Sequence, residues 1–126
     1  MRIIIYDKNE DLLKSFKTFL ELSGHDVIST NEYRTAISLA CSFETDILIS
    51  EYIPEDNEFL KLFELIQRNK PYTKIIILSN FDYTEKELES LLDLEITSVF
   101  KKPIDPELLD TVINKFKRFV ELKIKL

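Results

Sequence analysis

Charged or hydroxyl side chains stand where short apolar runs end. Asp7 and Lys8 follow Arg2-Ile3-Ile4-Ile5-Tyr6, Glu51 follows Ile47-Leu48-Ile49-Ser50, Ser79 closes Ile75-Ile76-Ile77-Leu78, and Lys102 comes after Ser98-Val99-Phe100-Lys101. Carboxylates gathered at one place can ligate a hard divalent cation, whereas an ammonium among them competes for the same oxygens. The remaining reactive residue types offer less. His25, next to Gly24, has no visible partner for general base catalysis and is expected to be a half-exposed turn residue. Cys41 is the only cysteine, so no intramolecular disulfide can form, and one Cys with one His cannot build a zinc cluster. Cys41 is expected to be packed or half-buried, with no basic neighbour to activate it. Asp46 is expected to cap the third strand and Asp56 to be a loop acid.

The elements that would carry these residues follow from periodicity. Apolar runs at 3–6, 27–29, 47–50, 75–79 and 98–100 read as strands, separated by longer stretches with helical spacing. The first, third and fourth runs are nearly continuous in Ile and Leu, as in strands covered on both faces, and the second and fifth are more polar, as edges can be. Leu12, Leu13, Phe16, Phe19 and Leu20 mark a first helix ending at Ser23-Gly24. Asn31 is the expected N-cap of a second helix with Ala36, Ile37 and Ala40, and Phe59, Leu62, Phe63 and Ile66 mark a third. Thr84 and Glu87 form a capping box for a fourth. Asp105-Pro106-Glu107 opens a fifth, with Pro at the first helical position and a stripe of Leu109, Val112, Ile113, Phe116 and Val120. The expected fold is α/β: a doubly wound, five-stranded parallel sheet in one domain over residues 1–126. In such sheets the site lies outside the carboxyl ends of the strands, which selects Asp7, Lys8, Glu51, Ser79 and Lys102.

Composition narrows the function classes. The chain carries 23 acidic and 17 basic residues, a net charge of −6, which repels nucleic acid and gives no general attraction to anionic lipid. No stretch approaches the roughly 20 apolar residues of a membrane span. A single glycine argues against a glycine-rich phosphate cradle. A reducing cytoplasm is the expected compartment.

The strand-end residues, with Lys102-Pro103 and the segment Asp46-Ile47-Leu48-Ile49-Ser50-Glu51, resemble the receiver domain of bacterial response regulators over essentially the whole chain. The resemblance implies a flavodoxin-like (βα)5 fold. It also implies a pocket in which two adjacent acids after the first strand and an Asp after the third surround Mg²⁺, the last being the phosphoacceptor. Asp7 matches the first acid, Ser79 the hydroxyl, Lys102 the lysine and Pro103 its partner. Lys8 stands where the second acid belongs, and Glu51 stands at the phosphoacceptor position. The loop from Glu51 to Pro54 is one residue shorter than the family pattern, which displaces the carbonyl expected near Ile53.

These departures change the chemistry expected of the pocket. Lys8 replaces a carboxylate by an ammonium, so Asp7, Lys8 and Glu51 sum to a formal −1, short of what Mg²⁺ draws on to offset its dehydration. The Lys8 ammonium is expected to occupy the vacated space as a counter-ion to Glu51 or Asp7. The extra methylene of Glu51 moves its oxygens by about 1 Å, a displacement that can cost roughly 100-fold in a reaction that relies on positioning. Alternatively, Glu51 imitates a phosphorylated Asp, with about −1 charge where phosphate carries −1.5 to −2. The family's strand aromatic falls at Val99, and Phe100 is shifted by one residue and so faces the other side. Asp56 is the alternative acceptor.

The last helix carries more apolar residues than one face can hold, among them Leu108, Phe119 and Leu122, interleaved with Lys and Arg. In the resembling family this region forms a dimer or effector face, so a protein partner is expected: an effector, a kinase, a second receiver, or a second copy through the last helix. Phe119 and Leu122 could equally fold back over the first helix. The sequence thus reads as an atypical receiver, not an enzyme, acting through protein contacts without metal, cofactor or phosphoryl group. The alternatives are a conventional phosphoaccepting receiver and the regulatory domain of a DNA-binding transcription factor.

Overall fold

Side chains along a strand alternate between the two faces of its sheet. In β1 (Arg2–Tyr6) this sends Ile3 and Ile5 into one apolar layer and Ile4 and Tyr6 into the other, all of them buried. The same sorting in β3 (Ile47–Ser50) and β4 (Lys74–Ser79) makes these three strands the two-sided centre of the sheet. β2 (Asp26–Thr30) and β5 (Ser98–Lys101) lie at the edges, and the order is β2-β1-β3-β4-β5, all pairs parallel. The computed structural model describes the fold of residues 1–125 and the side-chain surroundings of residues 1–118. Phe119 and Leu122, named as partner-face candidates, and Val120 of the core stripe lie outside the side chains described.

Helices cover both faces. α2 (Tyr33–Ser42), α3 (Asn57–Asn69) and α4 (Glu85–Asp93) close one layer, with Phe59, Leu62, Phe63 and Ile66 of α3 almost wholly buried. α1 (Glu10–Leu22) and α5 (Pro106–Lys125) close the other through Leu13, Phe16, Leu20, Leu109 and Ile113. Each fully buried side chain of this size contributes about 1.5–3 kcal/mol relative to exposure.

Local signals set the helix ends. Asn9 accepts from Leu12 N at 3.1 Å and starts α1. Thr84 and Glu87 form the expected capping box at 3.2 and 2.8 Å. Asp105 accepts from Glu107 N at 3.0 Å ahead of Pro106. Gly24, at φ 95°, takes the left-handed conformation that ends α1.

Four expectations are corrected. The N-cap of α2 is Glu32, not Asn31, because the Asn31 amide is drawn to Glu10 at 3.0 Å while Thr30 accepts from Glu32 N at 3.1 Å. Asp56 is the N-cap of α3, accepting from Glu58 N at 3.0 Å, rather than an uncommitted loop acid. Cys41 is exposed, since the buried positions of α2 are Ala36 and Ala40. His25 is buried: Nε2 lies 2.9 Å from Asp110 Oδ1 on α5 and Nδ1 lies 3.3 Å from the Met1 amino group.

Candidate functional site

The chain order runs outward from β1 to β2 on one side and to β3 on the other, so the strand ends part at β1 and β3, where a crevice forms. Asp7 leaves β1 there. Its backbone N–H still donates to Thr30 O at 3.2 Å, and its Oδ1 accepts from Asn9 N at 2.9 Å, an Asx-type turn that fixes the carboxylate as the chain enters α1. Glu51 leaves β3 beside it, with its N–H donating to Tyr6 O at 3.2 Å. Lys102 leaves β5, anchored by its N–H to Ser79 O at 2.8 Å, and precedes Pro103 across a cis peptide bond.

The side chains meet in a nearly dry cluster. Lys102 Nζ donates to Asp7 Oδ2 at 2.6 Å and lies 3.3 Å from Glu51 Oε2. The side chains of Lys102, Asp7 and Glu51 are 10%, 3% and 12% exposed. The shorter contact has the length of a charge-assisted bond. Glu51 Oε1 is buried with no hydrogen-bond partner among the described residues. These three groups carry a formal −1 in an environment where removing one partner of a buried pair costs about 3–5 kcal/mol. A cavity of about 350 Å³ opens beside them, bounded by Asp7, Lys8, Asn9, Glu51, Lys102 and Pro103.

The expected role of Lys8 is corrected. Its side chain is 60% exposed and its Nζ lies 3.9 Å from Asp56 Oδ2. With Asp7 turned inward, the next side chain along the extended chain faces outward. The ammonium inside the cluster comes from Lys102 instead. Ser79 is buried, but its hydroxyl is turned into its own turn, where it accepts from Phe81 N at 2.9 Å; Asn80, not Ser79, borders the cavity. The structure therefore joins Asp7, Glu51 and Lys102, keeps Lys8 and Pro103 at the rim, and sets Ser79 behind it.

Beneath the cluster, burial first and then the carboxylates of Glu58, Asp56 and Glu51 push the Tyr6 phenol up to about 12. Phe100 joins the α1–α5 layer, and Val99 on the opposite face is substantially exposed, as the one-residue shift predicts. Sequence reasoning missed the part played by Asn9, although its cap pattern was available. It also missed the His25–Asp110 contact, for which residues so far apart in sequence give no periodic signal. A second hollow of about 570 Å³ lies at the other end of the sheet near Arg2, Asp26, Glu44, Asp46 and Tyr72. It gathers no comparable buried charge cluster.

Residues 3–114 match the family model described as response regulator receiver domain. Among curated proteins, the chain is similar to Regulatory protein AtoC of Escherichia coli (strain K12), 20% identical over 122 residues that make up 97% of this chain. The chain spans 26% of that protein's length. Among solved structures, it is similar to a two-component response regulator from Clostridium difficile, with a TM-score of 0.83 at 21% identity over 94% of this chain and 96% of the other. A CheY-like response regulator receiver domain protein from Methanospirillum hungatei JF-1 gives 0.80 at 20% identity over 93% and 94%. At these identities the structural likeness speaks for the fold.

Proposed function

The chain belongs to the response regulator receiver domain family of two-component signalling, and on that premise we propose that it is an atypical receiver that signals through protein contacts, without Mg²⁺ and without a phosphoryl group on Glu51. Receiver domains are signalling domains that interact with kinases and effectors in phosphorelay. The departures that support this reading are Lys8 and Glu51, together with the Lys102 ammonium seated between Asp7 and Glu51.

Mg²⁺ takes near-octahedral oxygen ligation with short, stringent distances. Asp7 Oδ1 is engaged by Asn9 N, and Asp7 Oδ2 and Glu51 Oε2 are engaged by Lys102. That leaves Glu51 Oε1, and Lys8 at the rim adds a cation where the family pattern has an acid. The residues present do not fit the ion. Without it, the longer Glu51 side chain has neither the position nor the charge compensation to accept a phosphoryl group efficiently. The free Glu51 oxygen is the observation that favours a conventional phosphoacceptor, and the experiment below separates the two readings.

The partner surface we assign comprises α4, β5 and the start of α5. Leu88, Leu92, Val99 and Leu108 are exposed there, Leu92 by 72%, and an apolar hollow of about 220 Å³ lies between α4 and β5. An effector, a kinase, a second receiver or a second copy of the chain is the class of partner such a face takes. The net −6 charge disfavours nucleic acid as a direct partner of residues 1–126. No described helix is long and apolar enough to cross a membrane. The reading takes the chain as one domain working in the cytoplasm.

The test is intact-mass measurement after incubation with Mg²⁺ and an acyl-phosphate donor. No mass gain is expected. A gain of one phosphoryl group that disappears in Glu51→Gln would establish the conventional reading instead.

A further inference from the structure

Three large apolar side chains stand exposed together where α4 meets β5. Leu88, Leu92 and Val99, with Leu91 and Ile96, line the apolar hollow of about 220 Å³. What surrounds this hollow is acidic. α4 carries Glu85, Glu87, Glu89 and Asp93 against Lys86 alone, and Glu95 follows it. Residues three and four apart on a helix are surface neighbours, so Glu85 and Glu89 form a row beside Leu88 and Leu92.

The helix itself has no use for most of this charge. Glu85 and Glu87 lie in its first turn, where a carboxylate complements the helix dipole, and Glu87 completes the capping box. Glu89 repeats the charge of Glu85 four residues on, a pairing that weakens a helix. Asp93 lies in the last turn, where a cation would be favoured and none is present. Glu95 takes the left-handed conformation at φ 55°, in a position where Gly or Asn is ordinarily found. Among the described residues, none of Glu89, Asp93 and Glu95 forms an ion pair, and the nearby Lys101 is engaged by Asp82 at 2.7 Å. Local helix chemistry therefore leaves these three carboxylates unexplained, and they rim the apolar hollow.

We propose that the α4–β5 hollow docks a cationic segment of a partner protein, one that seats large apolar side chains against Leu88, Leu92 and Val99 and sets Lys or Arg against Glu89, Asp93 and Glu95. A second copy of the chain is a poor occupant, because a twofold contact brings the same surface against itself and so acid against acid. The same rim repels nucleic acid and anionic lipid. The inference rests on the reading that this face meets a protein partner, and it supplies the chemistry by which that partner is recognised.

The probe is a fluorescent helical peptide of Leu and Lys with its leucines on one face, titrated with the whole chain and read by anisotropy; its counterpart has Glu at every Lys position. The Lys peptide is expected to bind, more weakly as salt is added, and the Glu peptide is expected not to bind. Glu89→Lys with Asp93→Lys should weaken binding by about tenfold or more, and Leu92→Ala by about fivefold. Glu21→Lys with Glu32→Lys changes net charge by the same amount on the far side of the sheet and should weaken it by about twofold at most. All these side chains are exposed, and circular dichroism verifies that each variant is folded. Equal losses from the two charge-reversed pairs, or a Lys peptide that does not bind, would overturn the proposal. A Glu peptide that binds and is released by Leu92→Ala would overturn the cationic partner yet leave the face as a docking surface, whereas indifference of both peptides to Leu92→Ala would overturn the face as well. Self-association abolished by Leu92→Ala, in sedimentation equilibrium, would assign the hollow to a second copy instead.

Discussion

An ammonium held by two carboxylates largely out of contact with water is worth more by its presence than by its net contribution, because removing it leaves buried negative charge with no compensation. Lys102→Met is therefore expected to lower stability by about 3–5 kcal/mol, read from urea denaturation at neutral pH. Adding Glu51→Gln should return part of that loss, since one carboxylate then remains where two did. Equal stability of native chain and Lys102→Met would show that the cluster is solvated. The tyrosines make a second prediction. Tyr6 and Tyr83 are raised from about 10 to about 12 chiefly by burial. Folding thus favours the protonated phenol: this stabilisation is complete below pH about 10 and is lost as pH rises through about 12. Stability should fall over that alkaline window, and Tyr83→Phe should reduce the slope, as measured by circular dichroism at fixed urea. Which residue supplied the buried ammonium was the part of the site that sequence did not disclose. Lys8 and Lys102 both stand at strand ends, and the choice between them depends on side-chain direction, which spacing alone leaves open.

At the scale of elements, the helices end where short-range chemistry ends them, and those ends were readable. The Thr84–Glu87 box, the Asp105-Pro106 opening and Gly24 each act within a few residues of themselves. Thr84→Ala is expected to cost about 1 kcal/mol in urea denaturation, with Thr84→Ser close to native. Loss of less than a few tenths would mean that tertiary contacts alone hold α4. Asn31 was misread because its side chain reaches Glu10 on another element, a competitor invisible to local pattern. The edge strands were recognisable from their polarity, yet β2 runs longer than its apolar residues suggest because β1 pairs with it from Asp26 to Thr30.

Across the whole molecule, the strand-end position of the site follows from topology, which is why its location was legible before its internal pairing. The charge account makes its own prediction at this level. Lys8→Asp combined with Glu51→Asp restores acids at the family's positions and leaves Lys102 as the only ammonium among them. Mg²⁺ affinity should then rise by about tenfold or more over the native chain, measured by isothermal titration calorimetry. If affinity does not rise, the shortened loop before Pro54 disables the pocket rather than the charges.

The concealed His25–Asp110 contact bears on how this molecule can bend. It rivets α5 to the corner where α1 turns into β2, and the imidazole is spanned on its other side by the Met1 amino group. A hinge between α1 and α5 would have to tear that rivet and deprive the buried imidazole of its carboxylate partner. The α1–α5 side of the sheet is therefore expected to serve as a chassis, bending less readily than the flank that carries α4.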